Sequence, residues 1–330
     1  MPRPMTTRNL DSLFDPSSVA VVGASQRPGR LGTRVWSNLT GAGVRGAVLA
    51  VNPKDHELSG HPVVHRVAQL PQVPDLALVC TPPAAVPRVV AELAELGTRA
   101  AVVLTPLDPA RTQAALDAAR PRLLRLLGPD SLGLITPHLR LNASAAHIGA
   151  DPGPVAFVSQ SAGLVTTVLD WARARQVGFS QVVSLGRRAD VDVGDVLDYL
   201  ASDGRTRAIL LHMEAMEAPA KFMSAARSAA RNKPVIVVKT GRSGPGQRAA
   251  ESHTRALAGS DLVFDAAIGR AGMLRVDTLY ELFTAAETLA RFHGSAGERL
   301  AVLTNGGGAG VMAADAAAAP RVELGGAAGG

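Results

Sequence analysis

Short apolar runs, separated by longer stretches with helical spacing, constrain the fold of this 330-residue chain more than any other feature. Unbroken Val, Leu and Ala runs such as "SVAVVGAS" and "LALVCTPP" predict strands that are buried on both faces of a sheet. The Ala-, Leu- and Arg-rich stretches between them predict helices that join parallel strands by right-handed crossovers. The pattern therefore predicts a doubly wound α/β fold.

Two pauses in this alternation divide the chain. A small-residue linker near 144–154 and a second pause at 291–298 each precede a fresh apolar run. We therefore expect three parts, covering 1–146, 147–293 and 294–330. The last part begins as a strand, a glycine turn and a helix, and then continues into a low-complexity tail. Either a partner chain completes this third α/β unit or the unit is truncated, and the tail favours truncation.

Composition and charge exclude several classes of function. The net charge is +6, but the arginines are scattered and aromatic residues make up only 3% of the chain, so we predict no nucleic-acid surface. The only cysteine, Cys80, excludes an internal disulfide and a cysteine-based metal site, and we predict no bound metal. Because no signal peptide and no run of 18 apolar residues is present, we expect a cytoplasmic protein without a membrane partner.

The glycines after the first apolar run indicate a phosphate site. Gly23, Gly29 and Gly32 lie where a strand turns into a helix, and such a turn offers free backbone N–H groups and a helix dipole to an anion. Their spacing is not G-x-G-x-x-G. The glycines could therefore serve the geometry of the turn alone.

The end of the second apolar run bears on which nucleotide binds. An NAD-binding domain places Asp or Glu there to accept hydrogen bonds from the ribose. This chain has Asn52, Pro53 and Lys54, and a lysine suits a phosphorylated ribose or a diphosphate. The acidic Asp55 is only one residue further on, so NAD is not excluded on this ground, but CoA is the better ligand.

A second group of polar residues follows the later strands. Ser159 and Ser161 could cap a helix, Gly163 offers N–H groups, and Glu214 ends a strand. His253 lies in the polar loop "ESHTRALAGSD". A carboxylate that accepts Nδ1–H would hold its imidazole in the tautomer whose Nε2 attacks phosphorus. The alternative is a solvated histidine, and another histidine near Glu214, the one in "LLHME", is a minor rival.

These motifs resemble a known family. "VGAS…VNPK", "SQSAG", and "SHT-x-ALAGSD" after "VVKTGRS" are similar, in this order, to the α-subunit-like half of ADP-forming acyl-CoA synthetases, relatives of succinyl-CoA synthetase. The resemblance covers residues 13–319. It implies a Rossmann-like CoA-binding domain in 1–146 and a flavodoxin-like domain of the succinyl-CoA synthetase type, with a phosphohistidine loop, in 147–293.

The resemblance also implies roles for individual residues. His253 would carry the phosphoryl group, and Glu214 would orient it. The residues that would hold CoA are Gly23, Ala24, Ser25, Asn52, Pro53 and Lys54, with Thr81 and Pro82 beside the pantetheine. The residues that would hold phosphate are Ser159, Gln160, Ser161, Ala162 and Gly163.

The implied reaction needs more than these 330 residues. An acyl phosphate would form from acyl-CoA and phosphate, and His253 would pass its phosphoryl group to ADP, with a small carboxylic acid as the other product. No ATP-grasp domain is present in the sequence. We therefore expect an ATP-grasp partner chain, which would bind ADP or ATP with Mg, or self-association, and no complete turnover by this chain alone.

Two departures suggest an alternative. Arg255 replaces the usual glycine beside the histidine, and "GPDSLG" replaces "GPNCLG", so that Asp130 places a carboxylate near the expected phosphate. Segments such as "VLDWARARQVGFSQVVSLG" also resemble the N-terminal region of large bacterial protein lysine acetyltransferases. The alternative function is a non-catalytic acyl-CoA-sensing module of such a protein, truncated here.

Overall fold

The computed structural model describes residues 7–248, 260–291, 299–318 and 323–324. It separates into two units, Met1–Ala290 and Arg291–Gly330. Within the described residues, the larger unit contains two seven-stranded sheets. The α/β fold predicted from the apolar runs is confirmed.

The first sheet has the order β3-β4-β2-β1-β5-β6-β7. Its strands are β1 (Ser18–Val22), β2 (Ala47–Val51), β3 (Glu57–Leu58), β4 (His61–Val64), β5 (Leu76–Val79), β6 (Ala100–Val103) and β7 (Arg125–Leu127), and its helices are α1 (Asp11–Phe14), α2 (Leu31–Gly41), α3 (Val86–Leu96) and α4 (Pro109–Ala119). All pairs are parallel except β3 with β4. Without β3 this is the strand order of a Rossmann fold, in which the order reverses beside β1.

The second sheet has the order β14-β13-β12-β10-β11-β8-β9. Its strands are β8 (Gly133–Thr136), β9 (Leu141–Ser144), β10 (Pro152–Ser159), β11 (Phe179–Ser184), β12 (Ala208–Met213), β13 (Val235–Lys239) and β14 (Leu274–Val276), and the helices are α5 (Ala162–Arg175), α6 (Val193–Ser202), α7 (Pro219–Asn232), α8 (Asp261–Ala271) and α9 (Leu279–Arg291). The five strands from β10 to β14 follow the flavodoxin order. The fold therefore agrees with the two domain types that the resemblance implied.

The hairpin β8–β9 joins the second sheet although it precedes the division expected at residue 146. Strand β8 pairs antiparallel with β11, with Gly133 opposite Ser184. Strand β8 could extend the parallel first sheet beside β7 only after a long crossover connection. The loop between β7 and β8 is too short for such a crossover, so β8 enters the second sheet instead. The change from one sheet to the other thus lies between Leu127 and Gly133.

The two sheets share one hydrophobic core. A single cluster of buried apolar side chains extends from Val21 and Leu78 in the first sheet to Val158 and Leu211 in the second. Small and aliphatic residues dominate it, as expected for helices that pack closely on parallel strands. The helices in the described part of the chain are too short or too polar to span a bilayer.

In the smaller unit, the described residues form a strand, a connecting loop, a helix and a second strand. Strand β15 (Arg299–Leu300) pairs in parallel with β16 (Glu323–Leu324), and α10 (Gly307–Ala318) lies between them in sequence. A strand and a helix thus follow one another here as the sequence analysis expected, and the assignment of 294–330 to an incomplete third α/β unit stays a prediction.

Candidate functional site

A tight turn at the end of β1 supports the start of α2. Gly23 has a φ of +93°, and a Cβ there would lie 3.0 Å from the carbonyl carbon of Cys80. A Cβ on Gly32, in the first turn of α2, would lie 1.9 Å from the carbonyl oxygen of Gly23. Gly23 therefore requires glycine because of its positive φ and its close approach to the backbone after β5, and Gly32 requires glycine because a side chain there would separate the helix from the turn.

This turn leaves several backbone donors free. Among the described residues, no acceptor bonds the N–H groups of Ala24 and Ser25 in the turn or of Leu31 and Gly32 at the start of α2. Free N–H groups at the positive end of a helix dipole form an anion site. The arrangement supports the predicted phosphate cradle.

Asn52, at the end of β2, braces this cradle. Its Nδ2 donates to the carbonyl oxygen of Ala24 at 2.6 Å and to Asp55 Oδ2 at 2.9 Å. Its Oδ1 accepts from the backbone N–H of Lys54 at 2.8 Å. Pro53 and Lys54 are exposed. Lys54, two residues after Asn52, is thus exposed to solvent, while the side chain of Asn52 is bonded to the backbone and to Asp55.

Thr81, at the end of β5, has an unsatisfied hydroxyl. Its Oγ1 is buried and has no hydrogen-bond partner within the described residues, while its carbonyl accepts from Thr105 Oγ1 at 2.8 Å. A buried hydroxyl without a partner is costly, so it indicates a ligand atom or water at this edge. The neighbouring Pro82 is exposed. Burial raises the pKa of Cys80 to about 12, which keeps its thiol neutral and argues against a nucleophile.

The loop between β7 and β8 joins the carboxyl edges of the two sheets. The N–H of Asp130 donates to the carbonyl oxygen of Thr105, after β6, at 3.3 Å. The carbonyl of Pro129 accepts from Arg187 N–H, after β11, at 2.7 Å. The Asp130 carboxylate lies 3.5 Å from the Arg187 guanidinium, so the extra negative charge noted in the sequence has a cationic neighbour.

The turn from Ser159 to Gly163 starts α5 and forms a second cradle. Ser161 caps the helix, since its Oγ accepts from Leu164 N–H at 3.4 Å. In the described part of the chain, the N–H groups of Ala162 and Gly163 have no acceptor. These two amides are therefore available to an oxyanion.

Gln160 holds the strand end that carries Glu214. Its Oε1 accepts from the N–H groups of Glu214 at 2.6 Å and Ala215 at 3.0 Å, and its Nε2 donates to the carbonyl of Ala215 at 2.9 Å. Only 7% of Gln160 is exposed. The sequence suggested that this residue holds phosphate, but its side chain is engaged with the protein and positions Glu214.

Ser159 and His212 form a buried polar pair. Ser159 Oγ donates to the carbonyl of Ser161 at 2.9 Å and lies 3.1 Å from His212 Nδ1, while His212 Nε2 lies 3.4 Å from Thr240 Oγ1. Burial lowers the pKa of His212 from 6.5 to about 4, so this imidazole is neutral near pH 7. It serves as a neutral link between three strand ends.

The predicted phosphohistidine lies outside the described residues. His253 and the neighbouring Arg255 belong to the segment 249–259, whereas Glu214 is described and half-buried. The structure therefore brings Glu214 together with Gln160 of the second cradle, and the position of His253 stays a prediction. No group of three or more His, Cys, Asp or Glu side chains within the described residues has the arrangement of a metal site.

An ion cluster that sequence reasoning missed lies at the start of α8. Both carboxylate oxygens of Asp261 accept from Arg275 Nη2, at 2.7 and 2.8 Å, and Lys239 Nζ lies 3.5 Å from Asp261 Oδ1. Partial burial opposes ionisation, but these cations still hold the pKa of Asp261 below its ordinary value. Arg275 lies on β14, and no local sequence pattern links it to Asp261.

Comparisons with known proteins match both halves of the larger unit. Residues 17–137 match the model of a CoA binding domain, and residues 152–289 match the model of a succinyl-CoA ligase like flavodoxin domain. The chain is 37% identical over 320 residues to the acetate–CoA ligase [ADP-forming] I subunit alpha of Pyrococcus furiosus, covering 94% of this chain and 69% of that protein.

Other relatives agree with these matches. The chain is 40% identical over 314 residues to acetate–CoA ligase [ADP-forming] I of Archaeoglobus fulgidus, covering 93% of this chain but only 45% of that protein. The chain thus spans less than half the length of this relative. It superposes with a TM-score of 0.91 and 34% identity on the dinucleotide forming acetyl-coenzyme A synthetase 1 of Ca. Korarchaeum cryptofilum in complex with phosphate and ADP, covering 96% of this chain and 69% of that chain.

Proposed function

Because this chain belongs to the family of the α subunits of ADP-forming acetate–CoA ligases, we propose that it binds CoA and transfers a phosphoryl group as one half of such a ligase. The half-enzyme would interconvert acyl-CoA and an acyl phosphate, and then carry phosphate on a histidine. Acetate, which the names of the relatives contain, is the first acid to test.

One observation carries this proposal: two sets of free backbone N–H groups start helices at the carboxyl edges of two sheets that share a core. Ala24 and Leu31 contribute to the first set, and Ala162 and Gly163 form the second. The loop through Pro129 and Asp130 connects the two edges directly. A ligand with a phosphorylated nucleotide at one end and a reactive thioester at the other matches this arrangement.

The first cradle would hold the nucleotide end of CoA. Its free amides would bind the diphosphate, and Lys54 would lie beside it as a cation. The unsatisfied hydroxyl of Thr81 would bond an amide or carbonyl of the pantetheine arm as it runs toward the second sheet. These contacts support the assignment of the CoA site to Gly23–Ser25, Asn52–Lys54 and Thr81–Pro82.

The second cradle would hold phosphate as it reacts. Phosphate oxygen would attack the thioester carbonyl, the C–S bond would break, and CoA would leave as the thiolate. His253 Nε2 would next attack phosphorus of the acyl phosphate, and the carboxylate would leave as the P–O bond breaks. The amides of Ala162 and Gly163 would stabilise negative charge on the phosphoryl oxygens in both steps.

Glu214 would orient the reacting histidine. A carboxylate on Nδ1–H fixes the imidazole tautomer and stabilises the cation that forms during phosphoryl transfer. Gln160 supports this role, since it binds the backbone N–H groups of Glu214 and of the next residue.

A partner would complete the cycle. An ATP-grasp chain or domain that binds ADP or ATP with Mg would accept phosphate from His253, as is consistent with the α-subunit relatives. Self-association is the other way to supply a missing element. A cytoplasmic location, predicted from the sequence, belongs to this proposal and can be checked by cell fractionation.

Titration and labelling test the proposal in sequence. The purified chain should bind CoA and acetyl-CoA in a calorimeter and should not bind NAD. With acetyl-CoA and radioactive phosphate it should acquire an acid-labile, base-stable label. His253→Ala should lose that label and keep its CoA affinity within about threefold, because the two sites are separate. Absence of CoA binding would overturn the proposal.

A second candidate function is a non-catalytic acyl-CoA-sensing module, of the kind found in the N-terminal region of protein lysine acetyltransferases. The observation that favours it is the half-exposed carboxylate of Asp130, in the loop that joins the two sheet edges, because a negative charge there would repel phosphate to the extent that Arg187, 3.5 Å away, does not neutralise it. CoA binding without any label at His253 would support this candidate. Asp130→Asn should then restore labelling if the carboxylate is the obstacle.

A further inference from the structure

A histidine that the predicted CoA site does not include lies at the corner of that site. Strand β4 pairs in parallel with β2, with Val64 opposite Val51, and the N–H of Asn52 donates to the carbonyl of Val64 at 2.9 Å. By this register, His65, the first residue after β4, lies next to Asn52, the first residue after β2. In dinucleotide-binding folds, the end of β2 is where the adenosine ribose binds.

The imidazole of His65 has a defined orientation. Its Nδ1 lies 3.2 Å from the carbonyl oxygen of Asn52, and a carbonyl can only accept, so Nδ1 carries the proton. The ring of His56 packs edge-on against it, with centroids 4.7 Å apart. The backbone N–H of His65 donates to Gln69 Oε1 at 3.1 Å. The Nε2 atom remains for a ligand, since no hydrogen bond to it exists among the described residues.

The group that normally reads a free ribose is absent here. A carboxylate at the end of β2 would accept hydrogen bonds from ribose hydroxyls. Asn52 occupies that place, and its side chain is bonded to Ala24, Asp55 and Lys54. Two other side chains near this strand end suit an anion instead. The exposed Lys54 carries a positive charge, and the imidazole of the half-buried His65 can donate a hydrogen bond to a phosphate once Nε2 is protonated.

We propose that His65 is a specificity-determining residue that, together with Lys54, selects nucleotides with a phosphate on the adenosine ribose. This inference rests on the proposed CoA site and names a contact within it. Nε2 of His65 takes a proton from solvent when the phosphate binds and donates it in a charge-assisted hydrogen bond. Between Asn52 and Arg66, the ionisable side chains other than Lys54 and His65 are Asp55, His56, Glu57, His61 and Arg66.

The test compares CoA with 3′-dephospho-CoA by calorimetric titration of the full chain at pH 7.5. At this pH a phosphate monoester already carries nearly its full charge of about −2. The wild-type chain should bind CoA at least about tenfold more tightly, because the additional phosphate gains charge-assisted hydrogen bonds. His65→Asn keeps a donor for the carbonyl of Asn52 but lacks Nε2. It should reduce the ratio at least about fivefold and leave dephospho-CoA affinity within about twofold.

A control and a second readout distinguish the outcomes. His147→Asn changes an exposed histidine that pairs with Asp170 near the second sheet, and it should leave the ratio unchanged. In two buffers of different ionisation enthalpy, the wild-type chain should take up more protons with CoA than with dephospho-CoA. This measurement needs no variant, so it holds even if His65→Asn does not fold.

Three results would overturn the inference. Equal weakening of both ligands in His65→Asn would mean a structural role, and an unchanged ratio would mean no role. Equal proton uptake with both ligands would exclude the protonation of Nε2. If the wild-type chain binds neither ligand, the proposed CoA site itself fails, and this result is distinct from a chain that binds both ligands equally well.

Discussion

At the scale of single residues, buried polar side chains organise the site. Gln160 satisfies two backbone N–H groups and one carbonyl at the end of β12, and His212 links Ser159 to Thr240 across three strand ends. Such groups are costly to bury unless they are bonded, so each one fixes the backbone that it touches. The carboxylate of Glu214 depends on this local order.

Gln160→Ala should therefore lower the free energy of unfolding by about 2–4 kcal/mol, because two buried N–H groups lose their acceptor. Urea unfolding measures this loss. Gln113→Ala is the matched control, since Gln113 is a glutamine of α4 bonded only to the exposed Asp117, and it should change stability by less than about 0.5 kcal/mol. Similar losses in both variants would contradict the role of Gln160.

His212 predicts a pH-dependent stability. The unfolded chain takes up a proton near the ordinary pKa of 6.5, but the folded chain does so only near a pKa of about 4. Between these values the unfolded state binds more protons, so stability falls as pH falls, by at most about 1.4 kcal/mol per pH unit from this group. In urea unfolding between pH 7 and 4.5, His212→Gln should show a shallower decline than the wild type. Parallel curves would argue against a neutral buried imidazole.

At the scale of elements, the contact of α2 with the β1 turn sets the first cradle. Gly32 meets the carbonyl of Gly23 with no room for a side chain, and this contact aims the free N–H groups of the helix at the turn. Gly41, at the other end of the same helix, faces open space. The two glycines thus separate the effect of close packing from that of helix propensity.

Gly32→Ala should push α2 away from the turn, cost about 1–3 kcal/mol of stability through overpacking, and weaken CoA binding at least about tenfold. Gly41→Ala should keep CoA affinity and raise stability by a few tenths of a kcal/mol and at most about 1 kcal/mol, since alanine is a better helix former than glycine and Gly41 is the last residue of the helix. Thermal unfolding and CoA titration of both variants provide the comparison. Normal CoA affinity in Gly32→Ala would show that the cradle tolerates displacement.

At the scale of the whole molecule, a buried ion cluster fastens the two sheets of the larger unit together. Arg125 on β7 binds Asp190 and Asp195 of the second half, each at 3.0 Å, and Lys221 on α7 binds Asp195 at 2.7 Å. Asp195 is 1% exposed. Burial raises its pKa, and the cations of Arg125 and Lys221 oppose this shift. We therefore expect the charged state of Asp195, and with it the stability of the fold, to depend on Arg125.

Arg125→Met should destabilise the fold by about 3–5 kcal/mol, because the buried carboxylate of Asp195 would keep Lys221 but lose its guanidinium partner, and the partly buried Asp190 would lose its ion pair. Arg88→Met, which removes an exposed pair with Glu92, should cost less than about 1 kcal/mol. Chemical unfolding with one fluorescence probe in each half measures both variants. Because the halves share a core, we expect a single transition in the wild type, and two separate transitions would contradict this coupling.

Local sequence patterns predicted the fold class, the turn before α2 and the family of this protein. The apolar runs predicted the α/β fold, the glycines predicted a turn before α2, and the motif order around "SQSAG" predicted the family. The hydrogen bonds of Gln160 to the backbone at Glu214 could not be predicted from the sequence. They depend on the pairing of β10 with β12, in which Ser159 lies opposite His212, 53 residues later in the chain. The same is true of the ion cluster between Arg125 and Asp195.

The sequence by itself determined which segments are strands and helices, and which residue types follow each strand, because periodicity and turn chemistry act over a few neighbouring residues. Only the tertiary structure decided which strand ends lie together. Strand order and register bring His65 beside Asn52, and place the loop of Pro129 between two sheets. These contacts join residues that are distant in sequence, and burial of the shared core, rather than any local pattern, selects them.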